Sequence, residues 1–313
     1  MAKIIITHGL PAEGFKPLEG HEILMPEFLG RYSMEELKEL IVDADAVVAG
    51  GALPEDVIRA ARKLKIIANY GAGYDKVDVH TAAACGIPVT NIPEAVCDVT
   101  AELAVTLMLA VARRAGEMNM RIRREAPPTL FGMGKGMGTG LRGKTLGIFG
   151  CGRIGGRVAE IAKVLGMHVI GYSRRGVKPE VAENVGFEEL IRRADVLSLH
   201  CPLTEETRGI ISREVIAQMK DGAMLINTAR GAVVDNEALA EAVASGKLFG
   251  AGVDVYPDEP NIPQCLIDQD RIVLTPHSGS NTWDDRCEMA RSCSMQILDA
   301  LAGKRPVNIV NGL

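Results

Sequence analysis

Three ionisable residues stand in matching settings in this chain. Arg230 lies in Asn227-Thr-Ala-Arg-Gly231, Glu259 in Asp254-Val-Tyr-Pro-Asp-Glu-Pro260, and His277 in Pro276-His-Ser-Gly-Ser280. Each follows a short apolar run that reads as a strand (223–227, 250–255 and 271–275) and is embedded in Gly/Pro turn chemistry. Each is therefore expected to project from the carboxyl edge of a sheet, where ligands bind in open α/β proteins. A guanidinium fork suits a carboxylate, an imidazole can give or take a proton near neutral pH, and a carboxylate can hold that imidazole and favour its charged form. Together they suit the reduction of an α-keto acid beside a nicotinamide. Taken singly, each reads more readily as an exposed loop residue. Their recurrence at successive strand ends gives the set its weight.

A nicotinamide reading needs a nucleotide site, and the stretch from Lys144 to Gly156 supplies one. Thr145 to Phe149 is an apolar, β-branched run, Gly150, Cys151, Gly152, Arg153, Ile154 and Gly155 spell G-x-G-x-x-G, and helical periodicity follows from Arg153 to Leu165. The first glycine makes the tight turn, the second admits a pyrophosphate to the backbone, and the third lets helix pack on strand. The helix N-terminus then offers N–H groups and positive dipole to the phosphates. The motif alone is weak, but here a strand precedes it and a helix follows it, which is the context it requires.

The next strand, His168 to Tyr172, ends at Ser173, where an Asp or Glu would grip a ribose 2′-hydroxyl. Arg174 and Arg175 follow. A hydroxyl and two guanidinium groups would bind a 2′-phosphate by charge-assisted hydrogen bonds, so NADP is favoured and NAD stays open. The plainer alternative is that the two arginines simply begin a surface loop.

The elements around these residues alternate strand and helix. Upstream, strands are expected at 3–7, 46–49, 64–70 and 88–91. Helices are expected from a capping box at Ser33–Glu36 to about Ile41, from Pro54 through Leu64, and around 77–85. One long helix is expected from Val99 to about Arg124, then a loop rich in Gly, Met and Pro at 126–140. Arg113 to Arg124 is interrupted by Glu117 and reads as a solvated helix face. Strands at 196–200, 223–227, 250–255 and 271–275 and a last helix at about 282–301 complete the chain. The expected fold class is α/β, with two doubly wound parallel-sheet domains and an active-site crevice between them.

Composition bounds the remainder. At 313 residues the chain is comfortable for two domains, and 47% hydrophobic with only 4% aromatic residues suits a Val/Ile/Leu/Ala-built α/β protein rather than a disordered one. A net charge of −5 argues against a nucleic-acid surface. The seven cysteines are odd in number and show no C-x-x-C pair, and the six histidines are scattered, so neither a disulfide framework nor a metal site is expected. No charged-then-apolar leader opens the sequence and no apolar run approaches the length of a membrane span, so a cytoplasmic protein is expected.

Across nearly its whole length the chain resembles the D-isomer specific 2-hydroxyacid dehydrogenases, a family that includes glyoxylate/hydroxypyruvate reductases, D-glycerate dehydrogenases and 2-ketogluconate reductases. The resemblance is carried by Tyr70-Gly-Ala-Gly-Tyr-Asp75, Thr100-Ala-Glu-Leu-Ala104, Gly150 to Gly155, His200-Cys-Pro-Leu-Thr204, Asn227 to Gly231, Asp254 to Pro260 and Pro276 to Ser280. It implies two Rossmann-like domains, with residues 1–98 and 283–313 binding substrate as a lid and 99–282 binding the dinucleotide. It implies that Arg230 binds the substrate carboxylate and carbonyl, with backbone N–H groups of Ala72 and Gly73 completing the seat. His277 would protonate the carbonyl oxygen, and Glu259 would hold its imidazole. On the cofactor side it implies Arg153 and Ile154 at the pyrophosphate, Ser173 and Arg174 at the ribose, Cys201, Pro202 and Thr207 along the cleft, Thr228 near the nicotinamide, Asp254 at its carboxamide and Thr100 from the hinge helix. A homodimer is implied as well.

Two departures from the family pattern bear on this. Ser173 replaces the acid, which motivates NADPH as reductant of a small 2-keto acid. Phe131 and Met133 stand in the loop where many relatives carry a tryptophan, and the lone Trp283 either walls the substrate pocket or packs as a first-turn helix residue. The alternatives are an NAD-dependent D-glycerate or 3-phosphoglycerate dehydrogenase and a non-catalytic, nucleotide-sensing relative of transcriptional co-repressors. The phospho-substrate version is disfavoured because Ala49-Gly-Gly-Ala-Leu53 carries no cation.

Overall fold

The computed structural model describes residues 1–125 and 130–313. They divide into two compact units, one of Met1–Val96 with Ser280–Leu313 and the other of Cys97–Gly279.

The first unit opens with β1 (Lys3–Ile6), β2 (Glu22–Leu24), α1 (Met34–Leu40), β3 (Ala46–Ala49), α2 (Glu55–Ala60), β4 (Ile66–Asn69), α3 (Val79–Ala84) and β5 (Val89–Thr90). Its strands form one parallel sheet in the order β2-β1-β3-β4-β5. β3 and β4 are buried along their whole length, as expected when helices cover both faces of a parallel sheet. The capping box forms as the sequence predicts. Ser33 Oγ accepts from the Glu36 N–H, and the Glu36 carboxylate accepts from the Ser33 N–H, a device worth about 1 kcal/mol at a helix start. Pro54 stands just before α2 rather than in its first turn, and α2 ends at Ala60, well short of Leu64.

The second unit begins with α4 (Cys97–Ala112) and α5 (Ala115–Arg124). One continuous helix was the expectation here, and the structure corrects it. The Ala112 carbonyl accepts from the N–H of Thr139 instead of from the next helical turn, and Arg114 takes left-handed backbone at φ 53°. The Arg114 guanidinium folds onto the buried Glu117 carboxylate, so this stretch is not wholly a solvated face. Part of the 126–140 loop (126–129) lies outside the described residues.

β6 (Thr145–Phe149), α6 (Arg153–Val164), β7 (His168–Tyr172), β8 (Glu183–Asn184), α7 (Phe187–Arg193), β9 (Val196–Leu199), α8 (Arg213–Gln218), β10 (Ala223–Asn227), α9 (Asn236–Ser245), β11 (Leu248–Val253), α10 (Gln264–Ile267) and β12 (Ile272–Leu274) follow. They build a seven-stranded parallel sheet in the order β12-β11-β10-β9-β6-β7-β8. The strand order reverses between β6 and β9, which makes their carboxyl ends a topological switch point. Central β10 is fully buried, and Phe149 of β6 clusters with Tyr172 and Phe187, ring centroids 5.4–5.9 Å apart. α11 (Trp283–Leu301), capped by Thr282, returns the chain to the first unit. Among the described residues no helix is long and apolar enough to cross a membrane.

Candidate active site

The three ionisable residues arise on adjacent strand ends of the second unit. β10 ends in Asn227, whose side chain shapes the turn that follows: Oδ1 accepts from the Ala229 N–H at 3.0 Å and Nδ2 donates to the Arg230 carbonyl at 3.0 Å. Arg230 leaves this turn half-buried, one guanidinium nitrogen donating to the Ala229 carbonyl at 2.7 Å. Gly231 presses the turn against the next loop, since a Cβ there would lie 2.1 Å from the carbonyl carbon of Tyr256. That next loop carries Glu259. Its Oε1 lies 2.8 Å from His277 Nδ1 and accepts from the Tyr256 N–H at 3.3 Å.

His277 itself sits in left-handed backbone, φ 51°, a conformation a non-glycine residue keeps only when its surroundings hold it there. Asp254 supplies that hold. Its buried carboxylate accepts from Thr275 Oγ1 (2.6 Å), from the N–H (2.8 Å) and Oγ (3.2 Å) of Ser278, and from the Gly279 N–H (3.0 Å). Its backbone carbonyl also accepts the His277 N–H at 2.8 Å. With Nδ1 committed to Glu259 and the side chain 46% exposed, the Nε2 edge of the ring is the part open to a reactant.

The nucleotide motif has the geometry that its chemistry demands. Gly150 takes φ +102°, and a Cβ on it would lie 2.6 Å from the His200 carbonyl carbon, so the β6 turn packs directly on the β9 turn. A Cβ on Gly155 would lie 2.3 Å from the Gly150 carbonyl oxygen, whereas one on Gly152 would meet nothing within 4 Å. The second glycine thus faces open space beside the start of α6, whose N-terminus no side chain caps. A pyrophosphate fits such a place. Burial pushes the thiols of Cys151 and Cys201 up to about 11, so both stay protonated and act as small apolar filling.

The family model for the NAD-binding domain of D-isomer specific 2-hydroxyacid dehydrogenases matches residues 105–279, which include all of these groups. The chain belongs to the D-isomer specific 2-hydroxyacid dehydrogenase family. It is thereby an NAD(P)-dependent oxidoreductase, and a reductase of 2-keto acids. A glyoxylate reductase of Thermococcus litoralis is 40% identical to it, covering 99% of this chain and 96% of the relative. A D-3-phosphoglycerate dehydrogenase of Methanocaldococcus jannaschii is also 40% identical, over 99% of this chain but only 60% of that longer relative. Among solved structures, a glyoxylate reductase from Paecilomyes thermophila superposes with a TM-score of 0.88 at 31% identity, covering 99% and 98% of the two chains. An NADPH-dependent glyoxylate/hydroxypyruvate reductase from Sinorhizobium meliloti, solved with NADP and malonate, gives 0.83 at 28% identity, covering 99% and 96%.

Within this dehydrogenase the other expected residues fall as follows. Arg153 is exposed and Ile154 half-buried in the first turn of α6, and half-buried Ser173 with exposed Arg174 and Arg175 follows β7. Cys201 and exposed Pro202 continue β9, and buried Thr207 donates to the Pro202 carbonyl at 2.7 Å, bracing that loop. Thr228 Oγ1 lies 3.4 Å from His200 Nδ1. Thr100 is buried on α4, 3.4 Å from where a Cβ of Gly279 would stand, so it backs the His277 turn.

In the first unit, Asn91 Nδ2 donates to the Ala72 carbonyl (2.7 Å) and Asn69 Nδ2 to the Gly73 carbonyl (3.0 Å), fixing the peptide planes of that loop. Trp283, half of it exposed, packs on Phe28 with ring centroids 5.9 Å apart. Among the described residues, no group of three or more His, Cys, Asp or Glu side chains could hold a metal ion. The sequence reading missed Asn227, the loop-holding side of Asp254, and Glu206, whose carboxylate lies 3.7 Å from Arg174. For Asn227 and Asp254 the available signal was a polar residue closing an apolar strand.

Proposed function

We propose that this dehydrogenase reduces small 2-keto acids of the glyoxylate and hydroxypyruvate type, with 2-ketogluconate as a larger candidate, to D-2-hydroxy acids, preferring NADPH. The observation that carries the reaction is the 2.8 Å contact between His277 Nδ1 and Glu259 Oε1 beside the Arg230 turn. Arg230 binds the carboxylate and polarises the carbonyl, and the backbone N–H groups of Ala72 and Gly73 are substrate contacts offered by the first unit. His277 gives its Nε2 proton to the carbonyl oxygen, and Glu259 stabilises the charged ring before transfer. A reduced nicotinamide, when bound, would supply hydride to the carbonyl carbon, which with the proton from His277 would convert the carbonyl to an alcohol.

Gly150, Gly152, Arg153, Ile154 and Gly155 hold the pyrophosphate. Cys201, Pro202, Thr207, Thr228, Asp254 and Thr100 flank the remainder, and Ser173, Arg174 and Arg175 read the ribose. Residues 99–282 act as the dinucleotide domain, and 1–98 with 283–313 as the substrate domain. Exposed Phe131, Met133 and Met137 support a homodimer in which this loop meets a second copy.

The NADPH preference rests on Ser173 in the acidic residue's place with Arg174 beside it. The phosphoglycerate reading has a relative in its favour, but the loop 49–53 offers no cation to a substrate phosphate. A panel of 2-keto acids, each followed with NADPH and with NADH, tests the proposal. Turnover of glyoxylate or hydroxypyruvate, faster with NADPH, is expected. A panel active only on a phosphorylated substrate with NADH overturns it.

A further inference from the structure

The loop after β9 brings a carboxylate to the end of β7. β7 and β9 flank β6 on opposite sides, so their loops straddle the glycine turn. Glu206 Oε2 lies 3.7 Å from an Arg174 guanidinium nitrogen. Both side chains are exposed, 66% for Arg174 and 73% for Glu206, but the carboxylate is not adrift. Thr204 Oγ1 donates to the same Oε2 at 2.7 Å. The Thr204 N–H in turn donates to Thr207 Oγ1 at 2.8 Å, and Thr207 Oγ1 donates to the Pro202 carbonyl at 2.7 Å. A hydrogen-bonded loop therefore aims Glu206 at Arg174. The Thr204 hydroxyl above all, then the Glu206 backbone N–H and the Arg174 guanidinium, hold the Glu206 carboxyl below its ordinary range.

We propose that Glu206 is a specificity-determining residue for the adenosine ribose, supplying from the β9 loop the carboxylate that Ser173 does not supply at the end of β7. This rests on the reading of Ser173 and Arg174 given above. Toward a free ribose the carboxylate is an acceptor for hydroxyl groups. Toward a 2′-phosphate it is a like charge that also competes for Arg174. The two effects have the same sign, so Glu206 limits how far the chain can favour NADP(H) over NAD(H).

Adenosine 2′,5′-bisphosphate and 5′-AMP test this without turnover, because they carry the ribose chemistry and lack the nicotinamide. Calorimetric titration of both into the parent, Glu206→Gln, Arg174→Ala and the double variant is the experiment. Removing the charge should tighten the bisphosphate roughly three- to eightfold, the range for a screened surface charge facing a doubly charged group. It should leave AMP unchanged or weaker, and the gain should shrink in the Arg174→Ala background. A bisphosphate-to-AMP ratio that stays constant in Glu206→Gln overturns the inference. A parent that binds AMP better than the bisphosphate instead counts against the NADPH reading, and leaves the role of Glu206 to be judged by the change in ratio.

Discussion

His277 Nδ1 lies 2.8 Å from Glu259 Oε1, while the backbone that carries the ring is held at φ 51° by the carboxylate and carbonyl of Asp254. One acid orients the imidazole and another fixes the turn beneath it. Glu259→Gln keeps an oxygen acceptor but removes the negative charge beside His277 Nδ1. We expect kcat for keto-acid reduction to fall about ten- to a hundredfold with KM changed far less, read from steady-state kinetics. Equal losses in kcat and in substrate binding would assign Glu259 to substrate contact instead.

Arg230 is the second prediction. Arg230→Ala should cost roughly a hundredfold or more in kcat/KM while the NADPH dissociation constant stays near that of the parent, since the fork serves the keto acid. Arg230→Lys should recover only part of this, because an ammonium cannot reproduce two parallel hydrogen bonds. Full recovery by lysine would show that charge alone suffices.

The glycine motif separates folding from binding. Gly155→Ala places a methyl 2.3 Å from the Gly150 carbonyl oxygen, a backbone atom that cannot swing aside, so both thermal stability and cofactor binding should drop. Gly152→Ala meets no protein atom within 4 Å, so Tm should hold while cofactor affinity falls. Paired melting and binding measurements check this. Unimpaired binding in Gly152→Ala would place the pyrophosphate elsewhere.

His200 ties stability to pH. Its Nε2 lies 2.8 Å from Ser198 Oγ, and the protein around the ring pushes its pKa down to about 4 from the ordinary 6.5. Below pH 6.5 the unfolded chain takes up a proton that the folded chain refuses, so stability is lost progressively as pH falls from 6.5 toward 4. The loss should be at most about 3 to 4 kcal/mol. Denaturant titrations at several pH values should show this slope in the parent and a shallower one in His200→Gln. Identical slopes would acquit His200.

Much of this architecture was legible in the residues. Strands 46–49, 145–149, 168–172 and 223–227 fall where the short apolar runs lie, because the middle of a strand covered on both faces is apolar. The break at Arg114 was not legible. Arg113-Arg114-Ala-Gly carries no proline, and what ends α4 is a hydrogen bond from Thr139, distant in sequence. The same limit applies at the site. Local pattern placed Arg230, Glu259 and His277 at strand ends, but only the family resemblance paired Glu259 with His277, because their 2.8 Å contact joins loops eighteen residues apart. Glu206 was missed for that reason: it meets Arg174 only because the sheet sets β7 and β9 on either side of β6.

The most direct test compares the parent with His277→Ala, following NADPH oxidation by glyoxylate and hydroxypyruvate and measuring NADPH binding on the same preparations. The parent should reduce glyoxylate to glycolate, hydroxypyruvate to D-glycerate, or both. His277→Ala should bind NADPH as the parent does yet turn over roughly a hundred- to ten-thousandfold more slowly, the loss expected when a general acid is removed. A His277→Ala variant that keeps the parent rate on the same keto acid would contradict the assignment of His277 as the proton donor.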